Sequence, residues 1–266
     1  MTTLVASPGR VTMFGAFDVW LGDRQITPTA PKQSQLLALL LLQAGEQVGR
    51  ETIAEELWAM SPPPTYRAAI HTYVMQLRRT LKAAGSSNFV IHQAASRYSL
   101  THTATHVDLE DYRELGREAR RRGNATDREG FIQHAREAVN MWRSEPLADV
   151  RRGPVIDQEL RTLASDHSRL RRGLALELIR SGEIAECLST LMDWSSTDPS
   201  DDSLPLRFYC LARLGRRAEA LRLYSEIPTG LTASGPWRWL QAAHADVLSS
   251  RTGLLPYDQY THQPTP

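Results

Sequence analysis

The sequence predicts an α+β domain at the N-terminus followed by an all-α domain. Three observations carry this prediction: imperfect alternation of apolar and polar residues between residues 10 and 27, an apolar run from Leu36 to Leu42, and helical spacing that continues almost unbroken after Val107. Alternation is typical of strands, and a period near 3.6 residues is typical of helices. The apolar run is long enough for a buried helix, whereas a membrane span needs roughly 18 apolar residues.

Length and composition favour a soluble globular protein with two domains. The chain has 266 residues, of which 41% are apolar and 23% are charged, values that differ from those of disordered or fibrous chains. Its two cysteines, Cys187 and Cys210, lie far apart and in no CxxC motif, which excludes a disulfide scaffold and a cysteine-rich zinc module. Residues 1–9 contain no basic segment followed by an apolar run, so we expect no secretory signal and a cytoplasmic protein.

The charges are distributed unevenly along the chain. Residues 1–100 carry 9 basic and 6 acidic residues, a net charge of +3, whereas residues 101–266 carry 22 and 24, a net charge of −2. All but two of the basic residues are arginines, which suit bidentate contacts with phosphate, although a high genomic GC content explains their number equally well. The asymmetry indicates that any contact with nucleic acid lies in the N-terminal part.

Short strands, three helices and a hairpin follow one another within the first 100 residues. Ala44 and Gly45 end the first helix, and the segment from Ser61 to Pro64 separates the second helix from the third. We predict strands between residues 10 and 27, helices at about 32–43, 50–59 and 65–83, and a hairpin that joins 89–92 to 97–100. This order is that of a winged helix-turn-helix, to which we assign residues 1–103.

The third helix has an apolar side and a polar side. At 100° per residue its apolar stripe comprises Ile70, Tyr73, Val74, Leu77 and Leu81. A DNA-reading helix needs such a stripe for docking on its own domain, and opposite it side chains that reach base edges between basic groups that bind phosphate. The candidates for base edges are His71, Thr72, Met75 and Gln76, those for phosphate are Arg67, Arg78 and Arg79, and Arg97 lies near the tip of the hairpin, which can contact the minor groove or backbone. The alternative is a solvated face of an ordinary amphipathic helix.

Sequence signals for an enzyme or a metal site are weak. The chain has no GxxxxGK[ST] phosphate loop, no GxGxxG after a strand, no GxSxG and no HExxH, so we expect no catalytic residues and no cofactor. His102, His106 and Asp108 are the nearest approach to a metal site, but a closed structural zinc site needs four ligands. We therefore expect no metal and interpret this segment as a solvated linker out of the hairpin.

From Val107 onward the pattern is that of helical hairpins separated by short, often glycine-containing turns. Such hairpins are typical of TPR-like arrays, although no strict 34-residue repeat is present. The helices are predicted at roughly 108–122, 127–142, 154–181, 184–194, 203–214, 217–226 and 236–249. We assign residues 104–252 to this domain and expect residues 253–266, which contain three prolines, to form a flexible tail.

Several segments resemble the Streptomyces antibiotic regulatory proteins (SARPs). In the first 100 residues these are FGAFDVWLGD, PKQSQLLALLLLQAGEQVGRETIAEELW, PPPTYRAAIHTYVMQLRRTL and RYSL, which match the OmpR-type winged helix of that family. From Val107 onward VDLEDYRELG, AREAVNMWRSEPLADV and LARLGRRAEALRLY resemble its bacterial transcriptional activation domain. Together these segments cover most of the chain. Their order and spacing make the resemblance more specific than any single segment would.

The resemblance implies a pathway-specific transcriptional activator of a secondary-metabolite, or antibiotic, gene cluster. Such proteins bind direct repeats near the −35 region as head-to-tail protomers and recruit RNA polymerase holoenzyme through its sigma subunit, and the loop before the third helix faces polymerase. A nucleoid-associated cytoplasmic location follows. The residues that it implies for DNA are His71, Thr72 and Gln76 on bases, Arg78 and Arg79 on phosphate, Arg97 in the hairpin, and Lys32 and Gln33 on the backbone at the N-terminus of the first helix.

A protein of another class is the alternative. The low net charge also fits a TPR-like adaptor in which the winged helix contacts protein and the concave helical surface holds a peptide. Salt dependence distinguishes the two hypotheses, because counterion release from DNA requires a steep negative slope.

Overall fold

The computed structural model describes residues 8–83, 88–195, 203–226 and 235–249. An N-terminal sheet contains β1 (Gly9–Thr12), β2 (Asp18–Leu21), β3 (Arg24–Gln25) and β7 (Thr105–Val107), in the order β3-β2-β1-β7. The strands β1, β2 and β3 are antiparallel neighbours, and β7 runs parallel to β1 with Val11 opposite Val107. The predicted strands between residues 10 and 27 are therefore present.

Three helices and a second sheet complete the winged helix-turn-helix. The helices are α1 (Pro31–Leu42), α2 (Arg50–Trp58) and α3 (Tyr66–Ala83), and the sheet has the order β4-β6-β5, formed by β4 (Val48–Gly49), β5 (Phe89–Ala94) and β6 (Arg97–His102). Helix α1 is apolar nearly all round, and every residue from Leu36 to Leu42 is buried. The predicted helices and hairpin are confirmed, and β4 is a short strand that the sequence pattern did not indicate.

The segment after the hairpin corrects one prediction. Residues 102–108 were expected to form a solvated linker, but Thr105–Val107 is strand β7 and Val107 is 2% exposed. Next to it, Asp108 accepts hydrogen bonds from the backbone amides of Met13 and Phe14. The parallel pairing of β7 with a strand almost 100 residues away is a long-range contact, which local sequence patterns do not report.

The remaining helices agree with the helical spacing of the sequence. They are α4 (Asp108–Asn124), α5 (Arg128–Met141), α6 (Pro154–Arg180), α7 (Ile184–Ser195), α8 (Leu204–Arg213), α9 (Arg217–Ser225) and α10 (Gly235–Leu248). Helix α8 packs against α7, α9 and α10. Each of these bounds lies within two residues of its predicted counterpart, and the all-α architecture of this part is confirmed.

Packing divides the chain into two compact units. Of the described residues, those up to Arg121 and His134–Ser168 belong to the first unit, and Arg122–Gln133 and those from Arg169 onward belong to the second. Parts of α4, α5 and α6 thus pack with the winged helix. The sequence-based boundary between residues 103 and 104 marks where the sequence pattern changes from mixed to helical, and it stays a proposal about the two sequence modules. The predicted tail at 253–266 lies outside the described residues.

Candidate DNA-binding surface

The apolar stripe of α3 is buried as its spacing predicts. Ile70, Val74, Leu77 and Leu81 are 0–4% exposed, and the ring of Tyr73 stacks on Trp58 of α2. The spacing of three and four residues puts these side chains on one face of a helix, which docks against α1, α2 and β5. The docked stripe leaves the opposite side of α3 to solvent.

The side of α3 opposite the stripe carries the predicted base readers. Five exposed residues form what we call the α3 face: His71, Thr72, Met75, Gln76 and Arg79. Helix α3 contains four basic residues and no acidic residue, so its own side chains supply only positive charge. Arg67 is also exposed, and its Nε donates to the hydroxyl of Tyr66 at 3.2 Å, a hydrogen bond that raises the pKa of the guanidinium.

Gln33 of α1 lies against the α3 face. Its Nε2 donates a hydrogen bond to Oε1 of Gln76 at 2.9 Å. The hydroxyl of Thr72 donates to the carbonyl of Ala68 at 3.0 Å, which leaves its methyl group and an oxygen lone pair available. The structure therefore brings together Gln33 and Gln76, two residues that the sequence placed in one surface although they are 43 positions apart.

Arg78 connects α3 with the neighbouring hairpin. Its Nε and Nη2 donate to the carbonyl of Ile91 in β5 at 3.1 and 2.8 Å, and its Nη1 lies 3.8 Å from Sδ of Met75. Two of the five donors of the guanidinium are thus used inside the protein, and donors remain for another acceptor. Its phosphate contact stays a prediction, and its observed contact fixes the hairpin against α3.

The wing is the hairpin formed by β5, β6 and the Ala95–Ser96 turn. Residues 92–97 are exposed, and the amide of Arg50 donates to the carbonyl of Ser96 at 3.0 Å. The Arg50 side chain donates to the carbonyl of Ala95 at 3.2 Å, so two bonds from one residue hold the turn. Arg97 is exposed beside this turn, and its Nη1 lies 3.5 Å from the carbonyl of Gln47. These contacts hold the tip of the wing against the start of α2, and the bonds of Arg78 to Ile91 hold strand β5 of the wing against α3.

Lys32 makes contacts within the protein. Its Nζ donates to the carbonyl of Leu57 near the end of α2 and lies 5.2 Å from the ring centre of Trp58. Partial burial lowers the pKa of the ammonium, and the charge of Arg151 lowers it further, against the opposite effect of Glu56. The expected contact of Lys32 with the DNA backbone stays a prediction, whereas its observed contact holds α1 against α2.

The loop between α2 and α3 exposes a large apolar side chain. Met60 is 96% exposed, and Ala59 before it has a φ of 51°. The amide of Ala59 donates to the carbonyl of Glu55, and the amide of Ser61 to that of Trp58, so the loop is held at its start. Three consecutive prolines follow and restrict the backbone up to α3. The sequence predicted a break between two helices here, but only the structure shows that Met60 is exposed.

Sequence reasoning missed a buried carboxylate in α2. Glu56 is 1% exposed, and it accepts hydrogen bonds from the side-chain amide of Gln35 and from the backbone amides of Gly153, Val155 and Ile156. The three backbone donors, at 2.6–3.0 Å, belong to the start of α6, where helix amides lack partners within the helix. Glu56 therefore caps a helix almost 100 residues away. Because α2 contains two other glutamates, the sequence does not indicate which of the three has this capping role.

Two further carboxylates bind backbone amides of the N-terminal sheet region. Asp108 accepts from Met13 at 2.9 Å, and Asp149 accepts from Phe17 at 2.7 Å. Burial raises the pKa of the Asp108 carboxyl, although the amides that donate to it and the charge of His106 act in the opposite direction. We call Glu56, Asp108, Asp149 and the amides that they bind the carboxylate junction. It joins residues of the winged helix to residues that follow it in the chain.

The two histidines considered as metal ligands have carboxylate partners. His102 Nε2 lies 2.8 Å from Oε1 of Glu110, and His106 Nε2 lies 2.5 Å from Oδ2 of Asp111. In the described ranges, no group of three or more His, Cys, Asp or Glu side chains is arranged to hold a metal ion. Within the same ranges, no helix has the length and apolar character to cross a membrane.

Comparisons with known proteins identify the two parts of the chain. The family model described as "Bacterial transcriptional activator domain" matches residues 107–248, and the one described as "Transcriptional regulatory protein, C terminal" matches residues 24–97. Regulatory protein DnrI of Streptomyces peucetius is 26% identical over 225 residues, which cover 82% of this chain and 83% of that protein. Regulatory protein AfsR of Streptomyces coelicolor is 28% identical over 223 residues, which cover 82% of this chain and 22% of that protein.

A solved structure shares the fold. Mycobacterium tuberculosis EmbR, determined in complex with a low affinity phosphopeptide, aligns with a TM-score of 0.75 and 22% identity over 95% of this chain and 68% of that one. The matching families and relatives are transcriptional regulators and not enzymes. The winged helix followed by a helical domain, the exposed basic face of α3 and the two family matches lead to one conclusion. The chain belongs to the SARP family of transcriptional activators.

Proposed function

We propose that this chain activates transcription by inserting α3 into the major groove of promoter DNA. His71, Thr72, Met75 and Gln76 face base edges, Arg67, Arg78 and Arg79 contact phosphates, and Arg97 places the wing on the adjacent backbone or minor groove. The observation that carries the proposal is the α3 face, which is exposed and polar on a helix that has four basic residues and no acidic one. A major groove is wide enough to admit an α-helix, and polar side chains there distinguish all four base pairs.

Gln76 is the residue on which we place most of the sequence preference. Its hydrogen bond with Gln33 orients the side chain before DNA is bound, so less side-chain entropy is lost on binding. A glutamine amide can bind adenine through two hydrogen bonds, which discriminates against the wrong base by about 1–3 kcal/mol. Gln33, at the start of α1, lies next to this contact, and we place its side chain near the DNA backbone.

The targets that we propose are direct repeats near the −35 region of secondary-metabolite promoters. Two protomers arranged head to tail on direct repeats face the same side of DNA if the repeats lie about one helical turn apart, roughly 10–11 bp. The resemblance to SARPs motivates this arrangement.

A titration of the full chain on promoter fragments from its own gene neighbourhood tests this function. We expect a complex that resists nonspecific competitor and weakens steeply with salt, and a loss of cooperative binding when half a helical turn is inserted between the repeats. Gln76→Ala should bind with reduced sequence preference and an unchanged salt slope. A chain that binds no fragment, with or without polymerase holoenzyme, or binds with no salt dependence, contradicts the proposal and favours an adaptor.

The loop before α3 is the surface that we propose for polymerase holoenzyme, through its sigma subunit. Met60 offers an almost fully exposed apolar side chain on a restrained loop, and methionines adapt well to protein surfaces. We expect Met60→Ser to reduce transcription in vitro while DNA binding is unchanged. Met192→Ser, which changes an exposed methionine of α7, is the control. Equal transcription by wild type and the Met60 variant contradicts this role of the loop.

A further inference from the structure

The second compact unit contains an open pocket that the DNA-binding function does not use. Its volume is about 320 Å³, and its lining comes from the end of α4, the α4–α5 turn, α5 and the last turns of α6. The lining residues are Gly123, Thr126, Arg128, Phe131, Gly173, Leu176, Glu177 and Arg180. Ligand sites in proteins commonly span about 300–1,000 Å³, so this pocket has the size for a small ligand.

Two glycines make room for the ring on the pocket wall. A Cβ atom at Gly123 would lie 3.2 Å from Cδ2 of Phe131, and a Cβ atom at Gly173 would lie 3.0 Å from its Cζ. Gly173 lies within the 27-residue helix α6, where glycine costs roughly 0.5–1 kcal/mol relative to alanine. The Phe131 ring therefore lies in a slot between α4 and α6, and it stays partly exposed to the pocket.

The turn that borders the pocket is strained. Thr126 has a φ of 58°, in the left-handed region that β-branched residues rarely adopt. The turn is held in this form by hydrogen bonds from the amides of Thr126 and Asp127 to the carbonyls of Gly123 and Arg122. Unfavourable local conformations that the surroundings maintain occur preferentially at functional sites. Here a strained threonine and a glycine inside a helix line the same pocket.

The charged residues that line the pocket are two arginines and one glutamate. Glu177 is bound by Nε of Arg128 at 2.8 Å and by Nη1 of Arg180, so one carboxylate is shared by two guanidinium groups. The three side chains together have a formal charge of +1. Arg128 is 53% exposed and can contact both Glu177 and a second acceptor. Phe131 and Leu176 provide apolar surface beside these charges.

We propose that this pocket binds a small amphipathic monocarboxylic acid. The carboxylate of the acid pairs with Arg128, because guanidinium groups form bidentate, charge-assisted hydrogen bonds with carboxylates. The ring or short alkyl chain of the acid packs on Phe131 and Leu176. A cavity of 150 Å³ holds benzene, so a pocket about twice as large accommodates a ring with a short acidic side chain.

Binding of simple acids to the full chain tests this proposal without DNA. The probes are 3-phenylpropionate and hexanoate, and the matched uncharged probes are 3-phenylpropan-1-ol and hexan-1-ol. We expect at least one acid to bind saturably with one site per chain at millimolar or lower concentration in ligand-observed NMR. The corresponding alcohol should bind roughly tenfold more weakly, because it lacks the charge-assisted hydrogen bond.

Variants locate the binding at the pocket. Arg128→Gln should weaken binding of the acid roughly tenfold and leave binding of the alcohol unchanged. Gly173→Ala, which brings a methyl group against Phe131, should weaken binding of both probes. Arg161→Gln changes an exposed arginine of α6 outside the pocket and should have no effect. The proposal is overturned if no acid binds saturably to wild type, or if Arg128→Gln binds the acid as well as Arg161→Gln does while circular dichroism shows that both variants are folded.

Discussion

The α3 face and the carboxylate junction use polar side chains in opposite ways. Arg79 and Gln76 are exposed, and the side chains of α3 offer no acid to neutralise its basic residues. Glu56 is 1% exposed, and each of its oxygens accepts backbone amides from the start of α6. Solvation makes the free-energy cost of an unpartnered charge small at the surface, whereas a buried carboxylate must have hydrogen-bond donors.

The difference shows how surface and buried charges can be assigned roles. An exposed residue without a structural partner is available to another molecule, and changing it alters stability little. A buried residue with several partners is committed to the fold, and removing it leaves those partners unsatisfied. Arg78 lies between these cases, because it is half-buried and bound to the carbonyl of Ile91 but retains free donor capacity.

The largest effect is expected at the junction. Glu56→Ala leaves the buried amide of Ile156 and the partly buried amides of Gly153 and Val155 without their acceptor, and a buried unsatisfied donor costs about 1–3 kcal/mol. We expect the free energy of unfolding to fall by about 3 kcal/mol or more, and Tm to fall by roughly 6–12 °C. Urea denaturation and calorimetry measure both quantities.

Glu55→Ala is the matched control, because Glu55 is exposed on the same helix and carries the same charge. Its stability should differ from wild type by less than about 0.5 kcal/mol. Equal losses in the two variants would mean that the contacts of Glu56 with α6 contribute nothing to stability, and the proposed contrast between the junction and the α3 face would fail.

A smaller effect separates the two neighbouring arginines of α3. Arg79→Gln should weaken binding to all DNA sequences and lower the salt slope by about 1, with Tm unchanged, as expected for a phosphate contact. Arg78→Gln should also lower the salt slope, but it loses the bonds to Ile91 and should lower Tm as well. Anisotropy titrations at several salt concentrations, paired with thermal unfolding, measure both properties. If both variants bind DNA as wild type does, the placement of α3 in the DNA interface is wrong.

The smallest effect is expected at the start of α1. If the bond of Lys32 to the Leu57 carbonyl persists on DNA, Lys32→Met should lower stability by about 1 kcal/mol and leave the salt slope unchanged. If Lys32 moves to a phosphate, the slope should instead fall by about 1. Gln33→Ala, one residue further, should reduce the sequence preference through Gln76. Salt titration of Lys32→Met therefore decides whether Lys32 contacts the DNA backbone, and the sequence preference of Gln33→Ala tests its action through Gln76.

Local sequence patterns predicted most of the secondary structure and the residues of the candidate surface. The stripe from Ile70 to Leu81 predicted both the helix and the side that it exposes, because a docked helix must bury its apolar face. Turn residues and helical spacing likewise placed the helices after Val107 to within two residues. These features depend on interactions between residues close in sequence, so the sequence contains them directly.

Long-range partners were decided only by the tertiary structure. The strand β7, the bond between Gln33 and Gln76, and the capping of α6 by Glu56 join residues separated by 43 to 100 positions. A glutamate on a solvated helix face and a glutamate that caps a distant helix look the same in sequence, because burial and donors come from elsewhere in the chain. The sequence by itself thus determined the helices, most of the strands and which face of α3 is polar, whereas the packing of distant segments decided strand β7 and which polar groups are committed to the fold.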